Sequence, residues 1–312
     1  MPRKQTVLYH YTSVEALYKI INTRTFWLAN SKSSNDKKEN SLSIKTYRKM
    51  LEDIKNTCQQ NDIKNALEIF LKNKETPSYD IENKKFFILS MTTQKDNLAH
   101  WERYASFRNG VSIALNADVL KMIRKKIHSM FQDDIIRECE LIYTRQSCVL
   151  KIKDEMENYY NVLRKIPKKH LEEALVVRIN SLFSDILLHF KNIFFKDETE
   201  RRILLDEKAM FDRKERLFFA IEMGNKEALK EIKNEYLRLL ECLDIEKTYF
   251  SPIRGEIRSL HHLCLKDIWG SDLIPEIMLG PNCPQSKDEL RYFLNENGLT
   301  NTKITESEIP IR

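Results

Sequence analysis

Two short clusters in this sequence carry residue types that can act together on a nucleotide. His10-Tyr11-Thr12 ends an opening apolar stretch, and Glu198-x-Glu200-x-Arg202 lies far downstream. A histidine and a hydroxyl can hold ribose. A carboxylate can stabilise the oxocarbenium ion left when a glycosidic bond to that sugar breaks, which is the set an NAD-splitting pocket needs. A carboxylate accepting from the ribose 2′-hydroxyl and facing the anomeric carbon would act through preorganised electrostatics and needs no unusual pKa. If the segment is a strand, Glu198, Glu200 and Arg202 share one face. Arg202 could there hold a phosphate or keep both acids ionised.

Each cluster also has an ordinary reading. Residues 196–210 contain no Gly or Pro and are rich in Glu, Arg and Leu, so composition alone favours a solvated helix with internal ion pairs. A histidine at a strand end is more often a satisfied side chain than a ligand-binding one. Trp101 and Tyr104, three apart on a helix, fit packing better than a cofactor box. Asn35, Asp36 and Glu39 suit a loop and a helix cap. Adjacent His261 and His262 point to opposite faces of a strand, a poor start for a metal site, and no metal is expected.

The elements that must position these residues are legible as alternating short strands and helices. Residues 6–11 read as a strand, and Thr12-Ser13-Val14-Glu15 as a capping box that opens a helix with Val14, Leu17, Ile20 and Ile21 along its apolar stripe. Residues 26–29 form a second strand, 30–40 a polar loop, and 41–73 two helices. The run Phe86-Phe87-Ile88-Leu89-Ser90 suits a central strand. Asp96 or Asn97 can cap a short helix bearing His100, Trp101 and Tyr104. Arg108-Asn109-Gly110 turns into a strand over 111–115, a helix starts near Asn116, and another strand is expected over 140–143. Residues 146–245 read as a mostly helical insertion in one domain spanning 1–312. Strands return over 249–260 and 274–279, and Ser286 caps a helix that Gly298 closes.

Composition excludes several classes. A 42% hydrophobic content over 312 residues supports a packed core. The six glycines, at 110, 224, 255, 270, 280 and 298, build neither a GxGxxG turn nor a P-loop. The six cysteines lack a CxxC pair, so a zinc ribbon or disulfide framework is not indicated. With no signal-like or membrane-spanning stretch, a cytoplasmic, non-membrane location is expected. A net charge of +6 permits nucleic-acid binding without demanding it. Basic residues are dense over 121–126, 164–169 and 213–216, though a solvated face explains each.

The sequence resembles a bacterial family known as domain of unknown function 2971. The resemblance rests on LYHYTS at 8–13, Asn35-Asp36 with Glu39, FILS at 87–90, DNLAHWERYASFRNGVSIAL at 96–115, Glu198/Glu200/Arg202, Ile277-Met278-Leu279-Gly280-Pro281, and Ser307-x-Ile309-Pro310-x-Arg312. The segment 206–247 looks like extra helix. That family in turn looks like the wider ADP-ribosyltransferase group, which includes DNA-modifying toxins. The resemblance implies an α+β fold with split small antiparallel sheets and NAD in the cleft between them.

It further implies roles. His10 would contact ribose with Tyr11 and Thr12 beside it, Asn35 would border the pocket, and Ser90 would support the carboxylate. Tyr104, or else Trp101, would stack on nicotinamide. Glu200 would be the catalytic acid group, and Glu198 would activate the acceptor nucleophile. It also favours a strand over 201–205, after the acid pair, although Arg201 stands where the family has an aromatic residue. The expected function is an ADP-ribosyltransferase with NAD as substrate and a macromolecular acceptor, RNA or DNA among the candidates, in a toxin or antiphage setting with an antitoxin or partner protein. The alternatives are a noncatalytic nucleic-acid or protein-binding module and a plain NAD hydrolase.

Overall fold

The computed structural model describes residues 6–31, 44–73, 86–121, 136–207, 248–253 and 256–310. In chain order the elements begin β1 (Val7–Thr12), α1 (Val14–Thr23), β2 (Thr25–Asn30), α2 (Ile44–Thr57), α3 (Asn61–Lys72), β3 (Phe86–Thr92), α4 (Leu98–Tyr104) and β4 (Val111–Asn116). There follow β5 (Ile136–Glu140), α5 (Arg145–Leu163), α6 (Lys168–His189), β6 (Glu200–Asp206), β7 (Tyr249–Ile253), β8 (Glu256–Cys264), β9 (Glu276–Leu279), α7 (Lys287–Glu296) and β10 (Lys303–Glu306). Chain contacts divide the protein into two units, one within residues 1–33, 85–139 and 198–312, the other within 34–84 and 140–197.

Local chemistry explains the helix starts. The Ser13 side chain accepts from the Ala16 amide to open α1, and Ser286 accepts from Glu289 to open α7. Asn97, rather than Asp96, caps α4 by accepting from the His100 amide. Gly298 follows α7 at φ +78°, where a glycine avoids the Cβ penalty. The helical unit packs α2, α3, α5 and α6 around Tyr47, Leu51, Leu67, Ile152 and Ile179, all fully buried.

In the other unit the described strands hydrogen-bond into one ten-stranded sheet where the resemblance suggested two. Its path runs β10-β9-β4-β1-β3-β2-β8-β7, with β6 on β3 and β5 on β6. Pairing is mostly antiparallel, β10 against β9 being parallel. The sheet forks at β3. One edge of that strand pairs with β6 along its whole length. The other edge is shared, β2 meeting Phe87 and Ile88 while β1 meets only Thr92. One face is lined by Leu8, Phe26, Leu28, Phe87, Leu89 and Leu205, each at most 2% exposed. Burying each such side chain stabilises the fold by about 1.5–3 kcal/mol.

Two expectations shift. The strand expected over 140–143 ends at Glu140 and begins at Ile136. The segment expected to be helical from 146 onwards contains α5 and α6 but then turns into strand β6. Most of the extra helix expected over 206–247, and the basic run over 213–216, lie outside the described residues.

Candidate active site at the fork of the sheet

Thr92 is the junction of the two sequence clusters. It lies opposite Tyr9 of β1 on one edge and opposite Glu200 of β6 on the other. Strands are about 4.8 Å apart, so Tyr9 and Glu200 backbones are separated by about 10 Å across Thr92. Directly paired residues share a face, which puts Tyr9, Thr92 and Glu200 on one side of the sheet. Ser90 and Arg202 are paired two residues further along and project to that same side.

Glu200 and Arg202 form a two-point ion pair. Arg202 Nε donates to Glu200 Oε1 at 2.7 Å, and Nη2 to Oε2 at 3.2 Å. Both are buried, at 6% and 2% exposure. Burial pushes the Arg202 guanidinium down to about 10, which leaves it charged at neutral pH.

Glu198 does not continue the strand as the resemblance suggested. It ends a 3-10 turn over Ile193–Glu198, and Thr199 at φ 42° turns the chain before β6 starts. The break in alternation gives Glu198 its own surroundings. Its Oε1 accepts from the Tyr104 hydroxyl at 2.6 Å and from Arg103 Nη1 at 3.0 Å. Its carbonyl accepts from Thr92 Oγ1 at 2.7 Å. Tyr104, expected to stack on nicotinamide, therefore spends its hydroxyl on Glu198. Trp101, the second choice, is 0% exposed, set edge-on to Tyr11, and donates from Nε1 to Asp96 Oδ1 at 2.5 Å. Its ring faces pack within the fold.

His10 sits in the fork. Its Nδ1 lies 3.0 Å from the Ser90 carbonyl, at a stretch of β3 edge between the β1 and β2 pairings. A carbonyl only accepts, so Nδ1 carries the proton and Nε2 is left as an acceptor in the neutral ring. Burial lowers the His10 pKa below the ordinary histidine value and favours that neutral form, with the Ser90 carbonyl opposing in part. The ring meets Phe26 edge-on at 5.8 Å. Because His10 follows Tyr9, it leaves β1 on the side opposite Glu200. The structure thus brings the two segments together on β3, but it sets Tyr9 and Tyr11, rather than His10, on the Glu200 side.

Tyr11 is buried, and its hydroxyl donates to the Gln94 and Lys95 carbonyls at 3.1 and 2.9 Å while accepting from the Asn97 amide at 3.2 Å. Burial raises its pKa, so it stays a donor. Thr12 is half-buried and pairs with Val111. Ser90 is exposed beside Arg202. Asn35, Asp36 and Glu39 lie outside the described residues.

Arg103 and Thr92 escaped the sequence reading, as did Tyr9. Period-two alternation from Ser90 would have found Thr92, whereas nothing local marks Arg103 as a partner of an acid 95 positions away. His261 and His262 do diverge. His261 is fully buried, 3.1 Å from Glu207, while His262 stacks on Tyr249 at 3.7 Å between ring centroids. Among the described residues no cluster of metal-ligating side chains forms, and Cys58, Cys139, Cys148, Cys264 and Cys283 are free thiols. No helix among the described residues is long and apolar enough to cross a membrane.

Comparison with protein families agrees with the resemblance drawn from the motifs. Residues 100–203 match the family described as protein of unknown function, DUF2971. Over that segment the chain is similar to the family. The DUF2971 match begins in α4 and ends in β6, so it contains Trp101, Arg103, Tyr104, Glu198, Glu200 and Arg202. No curated protein and no solved structure gives a significant match.

Proposed function

We propose that this chain is an ADP-ribosyltransferase that cleaves NAD and transfers ADP-ribose to a macromolecular acceptor, nucleic acid among the candidates, in a toxin or antiphage role. The observation that carries the reading is the Glu200–Arg202 pair on the strand beside β3, at the place where β1 and β2 part and the sheet opens. Glu200 is fixed by its two-point pair with Arg202 and would accept from a ribose 2′-hydroxyl. Positive charge developing on the sugar would meet a fixed, largely dehydrated carboxylate, the arrangement in which electrostatic stabilisation is strongest. Glu198, oriented by Tyr104 and Arg103, is the second acid and the candidate to activate the acceptor. His10, which leaves β1 on the opposite side of the sheet, would serve this pocket only through the Ser90 carbonyl that its Nδ1 holds on β3.

The burial of Glu200 and Arg202 also favours a second reading, a noncatalytic nucleic-acid or protein-binding module in which the pair only joins β6 to the fold. Labelled NAD incubated with purified protein and cell extract separates the two. Transfer of label that Glu200→Gln removes without loss of folding supports the transferase. Nicotinamide release with free ADP-ribose and no labelled polymer indicates a hydrolase. Salt-sensitive nucleic-acid binding with no NAD turnover indicates the binding module.

A further inference from the structure

The terminal signature Ser307-x-Ile309 has a definite place in the fold. Ser307 Oγ donates to Asp96 Oδ1 at 2.8 Å, and the Glu308 amide donates to Asp96 Oδ2 at 2.8 Å. Trp101 Nε1 supplies a third donor to the same carboxylate. The Ser307 amide is tied to the Leu279 carbonyl at 2.9 Å, and Ile309 packs on the cluster of Tyr11, Trp101 and Met278. One half-buried carboxylate thus joins the segment 307–309 to helix α4.

That helix has seven residues, too few to hold itself in water. It nevertheless carries two side chains that grip Glu198, Arg103 and Tyr104. Its far end runs into Ser106, Phe107 and Arg108, three consecutive non-glycine residues at φ 48°, 53° and 74°. Such backbone persists only where surrounding contacts over-determine it. The Arg108 amide bonds back to the Trp101 carbonyl at 2.9 Å, so the strained turn and the Asp96 anchor meet at the same residue.

We infer that Asp96 is a positioning residue and that segment 307–309 is a clamp whose hydrogen bonds on Asp96 set the placement of α4, and through Tyr104 and Arg103 the orientation of Glu198. The role assigned to Glu198 rests on the transferase reading, whereas the clamp itself does not depend on NAD chemistry. Charge-assisted donors on a carboxylate are the strong class of hydrogen bond, which suits a short helix that must not drift.

Amide exchange of the full chain tests the clamp without NAD. Glu308→Pro deletes the donating N–H, whereas Glu308→Ala keeps it, and the Glu308 side chain is exposed in either case. Exchange of the α4 amides is expected to quicken by about ten- to a hundredfold in Glu308→Pro, the worth of one charge-assisted hydrogen bond, and to stay at the parent rate in Glu308→Ala. Strands β4 and β9 should keep their protection. Should Glu308→Pro fail to fold, Ser307→Ala against Ser307→Thr poses the same question, the hydroxyl being kept only in the latter. Unchanged α4 exchange in both Glu308→Pro and Ser307→Ala, or equal quickening across the whole sheet, overturns the clamp. NAD turnover absent from the parent protein would instead reject the transferase reading and leave the exchange result standing.

Discussion

Replacing Arg202 by leucine isolates the energetics of the buried acid. Glu200 is 6% exposed and both its carboxylate oxygens accept from Arg202. Removing one member of such a pair leaves an uncompensated buried charge and costs about 3–5 kcal/mol. For a unit of this size each kcal/mol moves the midpoint by about 2–4 °C, so Arg202→Leu should melt roughly 6–20 °C lower. The deficit must depend on pH in a definite sense. Without its cation, buried Glu200 has a folded-state pKa raised above the unfolded value near 4.3. The folded state then gains protons first, so the loss is full at high pH and shrinks as pH falls through the raised value. Urea titrations at pH 5 and pH 8 measure this. A second change, Glu200→Leu in the Arg202→Leu background, should restore much of the stability, because well-packed apolar pairs replace buried ion pairs at little cost. A loss under about 1 kcal/mol that is equal at both pH values would show that water reaches Glu200, and the dehydrated-carboxylate reasoning would fail.

Other residues give independent checks. His10, held neutral by burial, should titrate below the ordinary histidine value by NMR; the stability tied to it is present above about pH 6.5 and is lost as pH falls through the folded-state pKa, so His10→Gln should flatten the acid limb of a stability profile. Tyr104→Phe removes the 2.6 Å donor on Glu198 and should cost about 1.5–3 kcal/mol in denaturant unfolding, while a loss of labelled transfer larger than the loss of folded protein would mark an effect on chemistry. Gly110→Ala would put a Cβ 2.2 Å from the Thr12 carbonyl oxygen and 3.0 Å from Ala105 backbone; a loss of about 3 kcal/mol or more is expected, and a melting point near that of the parent would refute the close approach.

The local parts of the fold were legible because local chemistry makes them. Ser286 supplies an oxygen to an orphan helical amide three residues on, as read, whereas α1 is capped by Ser13, one residue after the Thr12 that the Thr12–Glu15 box implied. The run 86–90 is a central strand because continuous apolar side chains need both faces covered. Histidines 261 and 262 diverge because neighbours on a strand must. The same alternation placed Glu200 and Arg202 on one face once the segment was taken as a strand.

Composition could not choose that strand. Residues 200–206 are as good a helix as a strand by propensity, and the tertiary structure decides through β3, whose edge satisfies the β6 backbone while Phe87 and Leu89 stand beside Leu205 and Ile203. The positive φ at Thr199 that takes Glu198 off the strand follows from that docking, as does the partnership with Arg103 and Tyr104. The side taken by His10 was likewise settled only by register: one bridge, Tyr9 to Thr92, fixes which face every β1 side chain adopts relative to Glu200. Types and caps belong to the sequence because they act within a turn of chain. Faces and partners belong to the fold, since pairing between segments about a hundred residues apart is set by which edges remain free when the core closes.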